Sequence, residues 1–177
     1  MEKLPYDPLK DLQPVTVTLK TNNLFVVPAS SPAKTLKEFI DLARSQTAQG
    51  SYGSYGIGSA AHLNGELFKQ QTGTVTTHVP YNQFGLAIGD LIADRTNFMF
   101  LTASAAIPQI QGGKLKAMAV TGAKRLPALK EVPTMAEAGI KDMVVTAWFG
   151  FVAPAGTPPD IINKLHQATK KVLIFHI

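Results

Sequence analysis

The chain has 177 residues, 45% of them apolar and 16% charged, with a net charge of +5 and no cysteine. That composition is globular and the length suits one domain or two small ones; it excludes disulfides, thiolate metal sites and cysteine nucleophiles. The bases are scattered from Lys34 to Lys130 without a run or stripe, which excludes the clustered basic footprint of a nucleic-acid binder and leaves a mild field suited to a small anion.

The N-terminal "MEKLPYDPLKDL" has neither the apolar core nor the small-residue cleavage site of a signal peptide. No run approaches the ~20 apolar residues of a membrane span. Val15–Leu19 and Leu24–Pro28, rich in β-branched residues, predict two strands. Thr35 and Glu38 make a capping box for a helix to Gln46, with Leu36, Phe39, Ile40 and Ala43 as its buried stripe. "SYGSY" (51–55) predicts a short strand running into a glycine loop. Ser59 then N-caps a helix to about Gln71, and Gly73 ends it in a left-handed conformation.

Further on, residues 74–81 predict a strand and 84–93 a helix weakened by Gly89. A strand at 96–102, a short helix at 104–112 and a strand at 115–122 follow. After Gly122 the chain is punctuated by proline, with a second capping box at Thr134 and Glu137. Residues 143–154 predict one strand or a bent pair. In the last helix Thr157 is the expected cap, Pro158 the first position and Asp160 a first-turn acid. Alternation of strands and helices argues for an α/β sandwich with mostly parallel strands. Ligands in such folds bind beyond the carboxyl ends of strands, against helix N-termini, and the glycine loop sits at such a place.

The loop "GSYGSYGIGSAAH" invites several chemistries. A P-loop needs a lysine after its glycines, and none follows here. Gly53, Gly56 and Gly58 are spaced G-x-x-G-x-G, the reverse of the dinucleotide fingerprint. A serine nucleophile would need a G-x-S-x-G elbow, but Ser59 stands in Gly58-Ser59-Ala60-Ala61. His62 lies one turn along the same helix and His78 ends a neighbouring strand, yet nothing in the pattern brings Glu66 or Asp90 to orient either one. The pattern favours Ser59 as a cap with His62 packing under the helix. The four histidines (His62, His78, His166, His176) show no paired spacing and no acidic cluster, so no metal and no cofactor is expected. A plain carboxylate is the remaining option. The glycines let backbone approach a ligand, and the small residues Ser59, Ala60 and Ala61 leave the first helical N–H groups bare for an anion. Pattern alone leaves this and an ordinary flexible turn open.

Several long motifs resemble one family. They include "LFVVPASSPAKTLKEFIDLA", "GSYGSYGIGSAAHLNGELFK", "HVPY", "GGKLKAMAVTGAKRLPALKEVPTMAEAGI" and "AWFGFVAPAGTPPDIINKL". Together they resemble the Bug family of extracytoplasmic solute receptors of tripartite tricarboxylate transporters, from Lys3 to about Leu173. The resemblance implies an α/β periplasmic binding protein of type II-like, Venus-flytrap form. It implies capture of a small carboxylate (a di- or tricarboxylate, an acidic amino acid or an aromatic acid), presentation to membrane permease subunits, a periplasmic address and no catalysis. The alternatives are a sensory or effector-binding module on the same fold, or a truncated remnant without function.

By the same resemblance residues 24–120 form a complete second lobe, residues 1–23 and 121–177 a partial first lobe, and the crossings near Asn23 and Thr121 a hinge. Ligand contact carries over to Ser54, Gly58, Ser59, Ala60, Ala61, Tyr81 and Thr102. Trp148 and Phe149 match an aromatic pair expected mainly in the core, with cleft lining as the alternative. There are departures. The family's signal peptide and "PFAPGG"-type loop have no counterpart, and "VLIFHI" replaces an amphipathic continuation, as in a chain truncated at both ends. Asn82-Gln83-Phe84 replaces a Lys-Gly-Gly-like turn. Leu101 and Thr102 stand where the family has an aspartate and a serine facing the cleft, which implies a ligand without a recognised ammonium group.

Overall fold

The computed structural model describes residues 4–45 and 50–174. Its elements are β1 (Leu12–Pro28), α1 (Leu36–Ser45), β2 (Gly50–Ser54), α2 (Ala60–Thr72), β3 (Thr76–Pro80), α3 (Phe84–Ile92), β4 (Phe98–Thr102), α4 (Ala103–Gln111), β5 (Leu115–Val120), β6 (Thr146–Pro154) and α5 (Pro159–Ile174). They divide into two units, Asn22–Ala147 and Met1–Thr21 with Trp148–Ile177.

The larger unit is built on strands in the order β3-β2-β4-β1-β5. β2 is parallel to β3 and to β4, whereas β1 runs antiparallel to both β4 and β5. The expected mostly parallel sheet is therefore a mixed one, because one strand enters from the opposite direction. The two strands expected at Val15–Leu19 and Leu24–Pro28 are one continuous strand. No proline or glycine lies between them, and Thr21 and Asn22 continue the extended chain.

The centre of the sheet is buried on both faces. Leu24, Phe25, Val26 and Val27 are all 0% exposed, which is why that stretch reads as a continuous apolar run rather than an alternating one. Alternation still decides the partners. Phe25 and Phe100 face α1 and α2 and meet Phe39, Phe68 and Phe98; Leu24, Val26, Met99 and Leu101 face α3 and α4 and meet Ala87, Ile88, Leu91 and Ala106. Phe25 is the hub of the first cluster, with ring centroids 4.8 Å from Phe68, 4.8 Å from Phe98, 5.1 Å from Phe39 and 5.3 Å from Phe100. Such aromatic contacts contribute about 0.5–1.5 kcal/mol each beyond their buried area.

Residues 121–147 also belong to this unit, so its edge lies beyond the sequence boundary at Val120. The reason is packing: Met135, Ile140 and Met143 join the cluster around Phe25. Backbone bonds fasten the segment, with Met135 N–H donating to the Val120 carbonyl at 2.9 Å and Val145 N–H to the Thr121 carbonyl at 2.8 Å. The capping box at Thr134 is formed reciprocally, since Thr134 N–H donates to Glu137 Oε2 and Glu137 N–H to Thr134 Oγ1. It closes a turn, not a helix. Thr35 and Glu38 differ slightly from the expected box, because Glu38 reaches back to Lys34 N–H at 2.8 Å.

In the smaller unit the first part of β1 pairs with β6. Thr18 Oγ1 donates to the Phe149 carbonyl at 3.2 Å, and Gln13 Nε2 to the Thr157 carbonyl at 2.9 Å. α5 starts one residue later than expected, at Pro159. The Thr157 hydroxyl turns back to donate to the Pro154 carbonyl at 2.8 Å instead of capping. Trp148 and Phe149 are 66% and 49% exposed, so the core role expected for them is not the one they have.

Candidate functional site

Parallel pairing of β3, β2 and β4 brings their carboxyl ends to one edge. Ser54 stands opposite Pro80, and Tyr81 N–H donates to the Ser54 carbonyl at 2.9 Å. Thr102 ends β4 at the same edge. From there residues 55–59 turn back into α2. The turn needs positive φ at Gly56 (111°) and Gly58 (82°), conformations that glycine adopts without strain. Ser59 is the N-cap in extended geometry. Its hydroxyl accepts from His62 N–H at 3.3 Å and donates to the Gly56 carbonyl at 2.8 Å.

Three of the loop's N–H donors are committed within it. Ser59 N–H goes to the Gly56 carbonyl, Gly58 N–H to His62 Nδ1 at 3.1 Å, and Gly56 N–H to Ser54 Oγ at 3.1 Å. The N–H groups of Ala60 and Ala61 have no acceptor within the described residues. These two donors stand bare at the start of a 13-residue helix, where the orphan N–H groups of a helix are ordinarily met by water, a cap or an anion.

The candidates therefore separate. Ala60 is exposed and Gly58 is open to solvent, whereas Ser54 is 0% exposed and Ala61 1%, its methyl packed in the core cluster. Ser54 Oγ is occupied by His78 Nε2 at 2.6 Å and by the backbone of Gly56. Ser54 supports the loop from below rather than facing a ligand. Tyr81 flanks a shallow depression with Tyr55, Gly56, Ile57, Pro80 and Asn82. Its hydroxyl donates to Asp90 Oδ2 at 2.9 Å, and Asp90 Oδ1 accepts from Arg95 at 2.8 Å. Burial first, then the bond to Asp90, raises the Tyr81 hydroxyl above its ordinary range; the Tyr81 and Arg95 bonds hold Asp90 below its own. Thr102 Oγ1 lies 3.3 Å from Ser104 Oγ. Leu101, which stands where the resemblance places a cleft-facing acid, is 0% exposed in the core.

Sequence reasoning missed one constellation. β2–β3 register sets Tyr52 opposite His78. The His78 ring stacks on Tyr52 at 4.9 Å and lies 4.2 Å from the His62 ring. The Tyr52 hydroxyl donates to Glu66 Oε1 at 2.7 Å, and Glu66 pairs with Lys69 at 2.9 Å. The signal was available: residues 52 and 78 have parity with the buried face of two short parallel strands. The serine–histidine contact here is Ser54–His78, not Ser59–His62. A nucleophile must reach its substrate, and the burial of Ser54 denies it that. Among the described residues no group of three or more His, Asp or Glu is placed to hold a metal ion; His176 lies outside them. No helix among them is long and apolar enough to cross a membrane.

The model of the family described as tripartite tricarboxylate transporter family receptor matches residues 1–175. The chain belongs to this receptor family. A UPF0065 protein of Cupriavidus necator is 36% identical over 171 residues, covering 97% of this chain and 52% of the relative. Among solved structures, R. palustris Rpa4515 with adipate matches at 36% identity and a TM-score of 0.90, over 94% of this chain and 56% of that one. MatC (Rpa3494) from Rhodopseudomonas palustris with bound malate matches at 32% identity and a TM-score of 0.89, over 96% and 58%. The chain thus spans about half the length of the curated relatives it matches. The tricarboxylate-transporter receptors are solute-binding proteins, not enzymes, with a periplasmic-binding-protein α/β fold. The mixed sheet of the larger unit is this chain's share of it.

Proposed function

We propose that this chain is the ligand-gripping part of a periplasmic solute-binding receptor. It captures a small carboxylate and delivers it to the membrane permease subunits of a tripartite tricarboxylate transporter. The larger unit corresponds to the receptor's second lobe. The ligand carboxylate sits on the Ala60 and Ala61 N–H groups, with Gly58 and Ser59 shaping the approach, Tyr81 and Thr102 flanking it, and Ser54 holding the loop from beneath. One observation carries the reading: two unpaired backbone donors at a helix N-terminus, on the edge where three parallel strands end. The adipate and malate carried by two related structures support a ligand of that size class. Asn82 and Thr102 place no charged side chain at the rim, which suits a simple di- or monocarboxylic acid better than an amino acid.

A substitution that removes one donor and nothing else tests this. Ala60 is the first residue of α2, a position where proline is tolerated. The preceding Ser59 already has φ −65° and ψ 158°, the geometry proline demands of its predecessor. Ala60→Pro should keep the thermal stability of the protein and weaken adipate or malate binding by about tenfold, the loss of one charge-assisted hydrogen bond of roughly 1.5 kcal/mol. Unchanged affinity measured by calorimetry in a folded Ala60→Pro protein would refute the placement of the carboxylate.

A further inference from the structure

We propose a second ligand site on the larger unit: a cavity between α1 and the starts of β2, β3 and β4 that takes a compact apolar amine as its ammonium ion. The site goes beyond the carboxylate reading and does not rest on it. The glycine loop stands at the carboxyl ends of those strands, and this cavity lies at their amino ends.

The cavity has a volume of about 210 Å³. An apolar cavity of about 150 Å³ holds benzene, so a molecule of that size with a small polar head is the fit. Phe39, Leu42 and Ala43, neighbours on one face of α1, form the apolar wall. Gly50 keeps the sheet side clear: a side-chain carbon there would stand 3.1 Å from Asn97 Oδ1 and 3.8 Å from Thr76 Cγ2.

The polar lining is rich in oxygen. Thr76 is 5% exposed, and its Oγ1 is buried without a hydrogen-bond partner among the described residues. The fold therefore leaves a hydroxyl of this wall unsatisfied. Ser31, after β1, adds a second hydroxyl, and Asp94, after α3, adds a carboxylate. Asp94 Oδ2 accepts from Ser30 Oγ at 3.0 Å, and Asp94 enters no ion pair among the described residues. The bases near it in the chain and in the fold are committed elsewhere. Arg95 pairs with Asp90 at 2.8 Å, and Lys116 donates to the Ser31 and Ala33 carbonyls. The Asp94 backbone is left-handed (φ 58°), a turn that glycine or asparagine makes as well, so the turn does not require the charge. An anionic ligand would meet a like charge here. An ammonium carries three donors and no acceptor, which suits two hydroxyls and a carboxylate, while its carbon body lies against Phe39 and Leu42.

Benzylamine is the probe, with benzyl alcohol and benzoate as neutral and anionic molecules of the same shape. In the full chain benzylamine should shift the amide resonances of Ala43, Gly50 and Asn97 saturably and leave those of Gly58 and Ala60 in place. Benzyl alcohol should bind about fivefold more weakly, the size of one exposed charge contact, and benzoate should not bind. Asp94→Asn keeps the left-handed turn and an oxygen for Ser30, so it should fold as the original does and bind amine and alcohol alike. Ala43→Met extends a flexible side chain into the cavity and should abolish both. Absence of saturable shifts at Ala43, Gly50 and Asn97 with about 10 mM benzylamine, a range in which so small a ligand is expected to bind, would overturn the proposal. So would benzoate binding as well as the amine, shifts confined to Gly58 and Ala60, or a preference for amine over alcohol that persists in Asp94→Asn.

Discussion

Gly65 lies in the middle of α2, where alanine is ordinarily favoured over glycine by about 1 kcal/mol. The structure reverses that expectation. A Cβ on Gly65 would collide with Tyr52 Cε2, with Cζ at 2.6 Å and Cδ2 at 2.7 Å. The Tyr52 ring has nowhere to retreat. It is 0% exposed, stacked on Phe98 at 5.3 Å and on His78 at 4.9 Å, and tethered through its hydroxyl to Glu66. Overpacking of a well-filled core costs about 1–3 kcal/mol, and a ring blocked on both faces belongs at the upper end. After the ~1 kcal/mol gain in helix propensity, Gly65→Ala should destabilise by about 2 kcal/mol, or roughly 6 °C in the melting temperature of a unit this size. Thermal and urea melts followed by circular dichroism measure it. In a Tyr52→Leu background the collision disappears, so the same substitution should become neutral or mildly stabilising, a coupling of about 2–3 kcal/mol. A Gly65→Ala protein at least as stable as the original, or effects of the two substitutions that simply add, would refute the close approach of α2 to β2.

Phe25→Ala should cost about 3–5 kcal/mol in urea denaturation, because it empties the centre of a five-phenylalanine cluster rather than one wall of it. Acid should destabilise the ligand-free protein in two stages. His78 is held below its ordinary 6.5, so the unfolded chain binds the proton first; the stability this contributes is complete above 6.5 and is lost as the pH falls below it. Glu66 is held below its ordinary 4.5 by the Tyr52 bond and then the Lys69 bond, so its contribution disappears later, as the pH falls through and below that value. Melts from pH 8 down to about 2 should show both, and His78→Gln should remove the first while leaving the second.

Local rules made most of the larger unit legible. The α2 cap at Ser59 and its left-handed stop at Gly73 (φ 65°) are where the side-chain and backbone chemistry put them. What sequence reasoning could not see was relational. The direction of β1 is set by its neighbours and leaves no mark on a stretch that is apolar on both faces. Ser54 reads as a ligand hydroxyl until the strand register supplies His78 beside it. Leu101 differs from Thr102 by one position, yet β4 is buried on both faces up to Leu101 and ends at Thr102, so one lies in the core and the other at the edge. Thr157 shows a limit of another kind. Its hydroxyl had an equally near acceptor at Pro154, and nothing in the pattern ranks one local bond above the other.

The segment after Gly122 has the proline-rich texture of a linker, and a protein engineer looking for a place to cut would choose it. The cut would fail. Residues 121–147 lay Met135, Ile140 and Met143 against the Phe25 cluster and are tied to the end of β5 by main-chain bonds. A polypeptide ending at Val120 would lose three buried side chains from one face of its sheet and expose the phenylalanines beneath. A piece cut for ligand screening or isotope labelling should therefore run from Asn22 to Ala147, and the apparent linker is its final wall.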